Sequence, residues 1–389
     1  MRVAHVITRL VVGGAQENTI DTVLGLHRRP GIEVELLSGP TTGREGSLEA
    51  RLHSNPQVLK ILPDLIRPLH PWHDLIAFAK LTRHFRDYRP DIVHTHSGKA
   101  GVLGRLAARQ ANVPIIVHTI HGPSFGSFQN SAANFLFRRA ERMAARSTTH
   151  FVAVAQAMID QYVAAGIGDR SRFTRILSGF NTGSFMEARN DAALRRSLGI
   201  REDDIVIGKI ARLFKLKGHH DLFAIAPSIA NQIPRAKFLL IGDGPLRDHF
   251  EKRVRALGLS SRFIFAGLIP PDRVPAHVGI MDLVVHFSQR EGLPRALPQA
   301  LAAARPVVAV DIDGASEVCK DGETGFLVRP GDREGLASRV VQLALDDSLR
   351  ERLGRAGQAM VARQFAVETM VAEIERLYRR LLPETRTAP

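Results

Sequence analysis

Residues 205–245, IVIGKIARLFKLKGHHDLFAIAPSIANQIPRAKFLLIGDGP, decide the fold. The stretch opens on a β-branched run at 205–210, passes through a cationic turn ending at Gly218, spans a helix-length spacer, and closes on a second apolar run at 237–241 before a glycine turn. Short apolar runs separated by helix-length spacers are the signature of parallel βαβ units. The same alternation extends in both directions. Upstream, strands are predicted at 3–7, 33–37, 91–94, 115–119, 151–154 and 173–177, with helices covering 105–109 and 135–145. Downstream, strands are predicted at 263–266, 283–286 and 306–310, then helices at 334–345, 349–365 and 367–382, and a frayed tail at 383–389. A looser stretch at 178–204, with three glycines and a charged run, separates the two series. The fold class is α/β, with two parallel sheets and a boundary at residue 180.

Composition narrows the function. At roughly 150 residues per domain, 389 residues hold two to three domains. The net charge of +14 suits an anionic partner and leans toward the first half of the chain. Nucleic acid is a poor match, because the basic residues are scattered, aromatics make up only 6% and no zinc, RNP-like or helix-turn-helix pattern is present. Cys319 is the single cysteine, so no intrachain disulfide, cysteine zinc site or cysteine-ligated cluster can form, which points to a reducing, cytoplasmic location. The N-terminal apolar run is interrupted at Gly13-Gly14, unlike a secretory leader, and no run of about 18 apolar residues occurs.

Three turns carry candidate chemistry. Gly13-Gly14 follow the first strand, where backbone N–H groups can approach a phosphate as a helix begins. Arg212 and Lys217 lie beyond the strand at 205–210, one a planar fork and the other a point charge for a diphosphate. In 288–300, SQREGLPRALPQA, Glu291 can orient a hydroxylated ligand, the N–H groups of Gly292 and Leu293 can face phosphate oxygens as a helix starts, and Gln299 lies about two turns along. Taken singly, the Gly-Gly turn reads first as a plain tight turn and the cationic run as a solvated surface. Asp311 and Asp313 match a D-x-D spelling but read as a loop, so no metal site is expected. The spacing of His94 and His96 is read as placing them on opposite faces of their strand, with His94 structural and His96 or Lys99 a minority ligand contact.

Together with His121-Gly122, Ser178-Gly179, Gly242-Asp243-Gly244-Pro245 and Gly322 to Gly325, these motifs resemble the retaining glycosyltransferases of family 4 over nearly the whole length. The resemblance implies the GT-B fold, two Rossmann-like domains facing each other across a cleft. It assigns 1–180 to an acceptor-side domain, with the helix 367–382 packing back on it, and 181–366 to a nucleotide-sugar domain. It further implies that Arg212 and Lys217 bind the donor diphosphate, Glu291 contacts the donor sugar, Gly14 lies under the phosphates and His121 faces the reacting side of the sugar. The donor is then a UDP-sugar or GDP-sugar, no cofactor or metal is needed, and the acceptor is a glycan or polyprenyl-linked sugar. Relatives commonly carry a second Glu for the ribose where this chain has Gln299, and an Asp where it has Asn181. An amide still donates to and accepts from ribose hydroxyls, so Gln299 bears on nucleotide preference. Glu317 can either close the donor pocket or serve capping and packing.

On the acceptor side, Arg138, Arg142 and Arg146 share a helix face by i, i+4 spacing, with phenylalanines interleaved, and the sole Trp72 adjoins Arg67 and His70. Such a surface suits anionic lipid or the phosphates of a lipid-linked acceptor; a solvated face with core phenylalanines is the other reading. Two further functions stay open at this stage: a sugar-nucleotide epimerase of the same fold, and a catalytically silent sugar-nucleotide binder.

Overall fold

The computed structural model describes residues 1–42, 46–126 and 128–382. The tail at 383–389 lies outside them. The chain divides into two compact units, one of Met1–Phe180 with the chain from Val367 onward, the other Asn181–Ala366.

The first unit carries seven parallel strands: β1 Arg2–Ile7, β2 Glu33–Ser38, β3 Leu59–Ile61, β4 Ile92–His96, β5 Ile115–Ile120, β6 His150–Ala153 and β7 Phe173–Arg175. Their order is β3-β2-β1-β4-β5-β6-β7. The second carries six: β8 Ile205–Ile210, β9 Ala236–Ile241, β10 Phe263–Gly267, β11 Leu283–His286, β12 Val307–Val310 and β13 Gly325–Val328, in the order β10-β9-β8-β11-β12-β13. Central strands are buried on both faces, as in β4, β5, β11 and β12, so they lack the alternation of a half-exposed strand; β12 is wholly apolar, while β4 and β5 also bury histidines and threonines.

In each sheet the strand order reverses once, between β1 and β4 in the first unit and between β8 and β11 in the second. Ligands of open α/β sheets bind outside the carboxyl ends of the strands at such a reversal. The register pairs Val3 with Ile92 and Leu283 with Ile207, so the turns after β1 and β4, and those after β8 and β11, emerge side by side.

The helix Val367–Leu381 belongs to the first unit. Its Met370, Val371, Ile374, Leu377 and Tyr378 share one core with Ile20, Val23 and the strand residues Val3 and Ile7. Helix starts are fixed by local chemistry: the carboxylates of Asp332 and Asp346 accept the N–H groups of Gly335 and Leu349, and the Asn130 side chain accepts that of Ala133.

Three details differ from the sequence reading. The short strands β3 and β13 were missing from it. His94 and His96 project to the same face of β4, their rings stacked 4.5 Å apart, because residues two apart in a strand share a face. Phe135 is exposed on the helix Ser131–Ala145 rather than packed in the core.

A buried ion pair joins two helices of the first unit. Arg105 Nη2 donates to Glu141 Oε2 at 2.6 Å, Arg105 Nε donates to the Gly101 carbonyl, and Ser124 donates to the other Glu141 oxygen. Substituting Arg105→Met strands a buried carboxylate and is expected to cost about 3–5 kcal/mol in urea unfolding. Adding Glu141→Leu should recover much of that loss; a double variant as unstable as the single one would contradict the assignment.

Candidate functional site

The loop after β8 is pinned from two sides. Leu213 donates its N–H to the Asp243 carbonyl at 3.0 Å, Leu246 donates to the Leu213 carbonyl at 3.1 Å, and Gln289 donates to the Leu216 carbonyl at 2.8 Å. The loop ends at Gly218, whose φ of +68° is left-handed and where a Cβ would stand 1.8 Å from the Phe287 carbonyl oxygen. Only glycine fits there. Leu216 also has a φ of +68°, which for a leucine costs on the order of 1–3 kcal/mol and persists because the surrounding contacts hold it. The helix His219–Gln232 starts immediately after.

This anchoring delivers Lys217 to the turn that follows β11. Lys217 Nζ donates to Glu291 Oε1 at 2.6 Å, and His286 Nε2 lies 3.4 Å from the same oxygen. The Glu291 N–H donates to Asp313 Oδ2 at 2.7 Å, and Gly314 donates to the Gly292 carbonyl at 3.1 Å. Burial pushes the Glu291 carboxyl up, but Lys217 and His286 outweigh it and hold the group ionised, below the usual carboxylate range. Burial lowers the His286 pKa, and Glu291 offsets part of that.

Beneath the pair lies Lys209 on β8. Its ammonium is fully enclosed, has no hydrogen-bond partner among the described residues, and sits 5.6 Å from the centre of the Phe287 ring. Burial, with Lys217 adding to it, brings its pKa down to about 7. Lys209 and His286 lie in the predicted strands and Asp313 in the predicted loop, but their roles here arise from contacts between turns rather than from spacing.

Among the residues singled out from sequence, the second unit brings Lys217, Glu291, Gly292 and Leu293 together. Arg212 is exposed on the same loop, its guanidinium 5.9 Å from the centre of the Phe214 ring. Gln299 is half-buried on the helix Ala296–Ala302. That helix begins four residues after Gly292, so the Gly292 and Leu293 N–H groups lie in the turn that leads into it. Asp313 is spent on the Glu291 backbone, and Glu317 lies half-buried in the short helix Ala315–Val318.

In the first unit, Gly13 precedes the helix Gly14–His27 with an extended φ of 174°, which any residue adopts. His121 follows β5, its Nε2 3.0 Å from His96 Nδ1. Lys99 pairs with Asp74 and donates to the Pro68 carbonyl at 2.6 Å. Arg138 is half-buried; Arg142 donates twice to the Ala165 carbonyl, at 2.9 and 2.6 Å, so its guanidinium closes the end of the helix Gln156–Ala164; Arg146 is exposed. Trp72 is 72% exposed at the start of the helix Pro71–Tyr88.

Comparison with known proteins matches both halves of the chain. Residues 12–183 match the family model "Glycosyltransferase Family 4" and residues 190–360 match "Glycosyl transferases group 1". A UDP-Gal:alpha-D-GlcNAc-diphosphoundecaprenol alpha-1,3-galactosyltransferase of Escherichia coli is 27% identical over 82% of this chain and 82% of its own. The capsular polysaccharide biosynthesis glycosyltransferase CapM of Staphylococcus aureus is 25% identical over 85% of this chain and 87% of its own. The crystal structure of Anabaena HepE in complex with UDP-glucose superposes with a TM-score of 0.82 at 24% identity, covering 98% of this chain and 100% of that one.

The enclosed ammonium makes stability depend on pH in a defined direction. An unfolded lysine titrates near 10.4, the folded Lys209 near 7, so between those values the unfolded state binds the extra proton and stability rises with pH. Below about 7 both states are charged and the full penalty of burying the charge applies. Lys209→Met should therefore be more stable than the wild type at pH 6, with the gap narrowing as pH approaches 10. A gap that stays constant across that range in chemical denaturation would contradict the assignment.

Proposed function

Because the chain belongs to glycosyltransferase family 4 and has the GT-B fold, we propose that it is a retaining, metal-independent glycosyltransferase that moves a sugar from a UDP-sugar to a glycan or lipid-linked acceptor in cell-surface polysaccharide or glycolipid synthesis. The observation that carries this reading is the Lys217–Glu291 pair, held by two pinned turns at the strand-order reversal of the second unit. UDP is favoured as the carrier because a relative is named for UDP-Gal and the structural neighbour holds UDP-glucose.

Breaking the bond between sugar and diphosphate leaves an oxocarbenium-like sugar and places growing negative charge on the departing phosphate. In this reading Lys217 and Arg212 meet that charge. Fixed cations in a water-poor site stabilise it without reorganising at the moment of reaction. Glu291, kept ionised by its neighbours, accepts hydrogen bonds from sugar hydroxyls and sets the position of the reacting carbon. Lys217 then stands between two anions, the Glu291 carboxylate and the phosphate, which couples sugar placement to leaving-group stabilisation. The phosphate oxygen takes the acceptor's proton on the face it leaves, which preserves the anomeric configuration. His121 attends the donor sugar, Gly14 backs the phosphates, and Gln299 holds the ribose through its amide.

UDP should raise the melting temperature in proportion to log concentration above its Kd, with GDP giving a smaller shift. Lys217→Ala and Arg212→Ala should each lower turnover of the UDP-sugar by about 10² to 10³ while far-UV circular dichroism stays unchanged. Full activity in either variant would remove that residue from the mechanism, and loss of transfer in EDTA would overturn metal independence.

We also assign the acceptor to a lipid surface. No helix among the described residues is long and apolar enough to cross a membrane. The first unit nevertheless exposes Leu69, Trp72 and Leu75 around one helix start, and Phe135, Leu136 and Met143 on the helix that carries Arg139 and is followed by Arg146. Apolar side chains beside arginines suit the boundary of an anionic leaflet, as on a cytoplasmic membrane face. The protein should co-sediment with vesicles containing phosphatidylglycerol, and a Trp72→Ser/Phe135→Ser variant should lose most of that binding. Equal partitioning onto neutral and anionic vesicles at low salt would contradict it.

A further inference from the structure

We propose that a continuous hydrogen-bonded chain through the core of the first unit, Thr119–His94–Tyr378–His5–His96–His121, fixes which nitrogen of His121 carries its proton. Tyr378 and Thr119 are then positioning residues for a side chain that the reading above puts at the donor sugar. The inference about its function rests on that reading, whereas the chain itself does not.

Every link is within hydrogen-bond distance. His94 Nε2 lies 2.6 Å from Thr119 Oγ1, and His94 Nδ1 lies 2.5 Å from the Tyr378 hydroxyl. That hydroxyl is 3.3 Å from His5 Nε2, His5 Nδ1 is 2.9 Å from His96 Nε2, and His96 Nδ1 is 3.0 Å from His121 Nε2. His5, His94, His96, Thr119 and Tyr378 are all buried, and the rings of His5, His94 and His121 stack or tilt against that of His96 or one another. The members come from β1, β4, β5, the turn after β5 and the C-terminal helix, so the chain exists only because that helix packs on this sheet.

The polarity of the chain follows from counting protons. Burial brings the His5 pKa down to about 3, lowers those of His94 and His96 well below the usual imidazole value, and raises that of the Tyr378 phenol, so all four are neutral at ordinary pH. A neutral imidazole has one donor and one acceptor nitrogen, and each link needs one donor, so choosing the direction of any link sets all the others. Thr119 sets it. Among the described residues its hydroxyl has one hydrogen-bond partner, His94 Nε2, and were it to accept there, its own proton would be left buried without an acceptor, at a cost of about 1–3 kcal/mol. The Thr119 hydroxyl therefore donates to His94 Nε2. His94 Nδ1–H then donates to Tyr378, Tyr378 to His5 Nε2, His5 Nδ1–H to His96 Nε2, and His96 Nδ1–H to His121 Nε2. Neutral His121, accepting at Nε2, carries its proton on Nδ1, the form a free imidazole side chain adopts less often. Nδ1 is then a donor, the chemistry that suits a sugar oxygen rather than the removal of a proton.

The test is long-range ¹H–¹⁵N correlation on the full-length protein with ¹⁵N-labelled histidine, at a pH where His121 is neutral, with its signals assigned by their loss in His121→Gln. The wild type should show a protonated Nδ1 and a pyridine-type Nε2 at His121. Tyr378→Phe cuts the chain and should shift His121 toward the Nε2–H form, as should Thr119→Val, which keeps the shape of the strand and serves if the phenylalanine variant does not fold. A purely structural role for Tyr378 would lower the melting temperature but leave the His121 tautomer unmoved. Nε2–H in the wild type, or an unchanged tautomer in both variants, overturns the proposal. So does a stoichiometric metal in the purified protein, because His5, His94 and His96 offer ligand nitrogens all within 4.8 Å of one another and an ion there would take the nitrogens that the chain uses. Turnover separates the two readings: absence of sugar transfer with the Nδ1–H form in place defeats the proposed function and leaves the chain standing.

Discussion

A lysine ammonium 2.6 Å from a carboxylate in a half-buried pocket is the interaction on which the second unit's chemistry depends. Two charges removed from water repay their desolvation only when geometry is tight and their remaining hydrogen-bonding capacity is met. Here the surroundings hold the geometry. Asp313 fixes the Glu291 backbone, His286 approaches the carboxylate from the strand below, and Lys217 rides on a loop whose neighbours pin it at Leu213 and Leu216. The pair is thus a fixed electrostatic feature of the fold, ready for an anionic, hydroxylated ligand before one arrives.

That readiness has local costs, and they gather around the same turns. Leu216 adopts a backbone conformation that leucine disfavours, Gly218 leaves no room for a side chain against Phe287, and the Lys209 ammonium is enclosed without a hydrogen-bond partner among the described residues. Strain and unpaired polar atoms concentrated where strand order reverses are the expected mark of a site held rigid for function rather than for stability. The first unit applies a different device near its own reversal, where neutral rings and hydroxyls satisfy one another in series through the core.

The fold was readable from residues 205–245 and their counterparts because buried parallel strands announce themselves as unbroken Val/Ile/Leu runs between helix-length spacers. β3 and β13 escaped: Leu59–Ile61 is three residues with a lysine in the middle, and Gly325–Val328 opens on a glycine after a turn. Lys217 and Glu291 were legible as types suited to a diphosphate and a sugar, and their family resemblance pointed the same way, but their direct bond was not, since 74 residues separate them. The contacts of Lys209, His286 and Asp313 were not legible, because a lysine or histidine in a strand and an aspartate in a loop acquire meaning only from what packs against them. His94 and His96 were misread as pointing apart; the two-residue repeat of a strand places them together, and their partner Tyr378 lies 284 residues from His94.

The most direct measurement of the central claim is a crystal structure of the protein with UDP bound. The account expects the β-phosphate within hydrogen-bond distance of Lys217 Nζ at the turns following β8 and β11, with the Glu291 carboxylate facing the space where the sugar would begin. UDP bound elsewhere, with Lys217 still engaged only by Glu291, would contradict it.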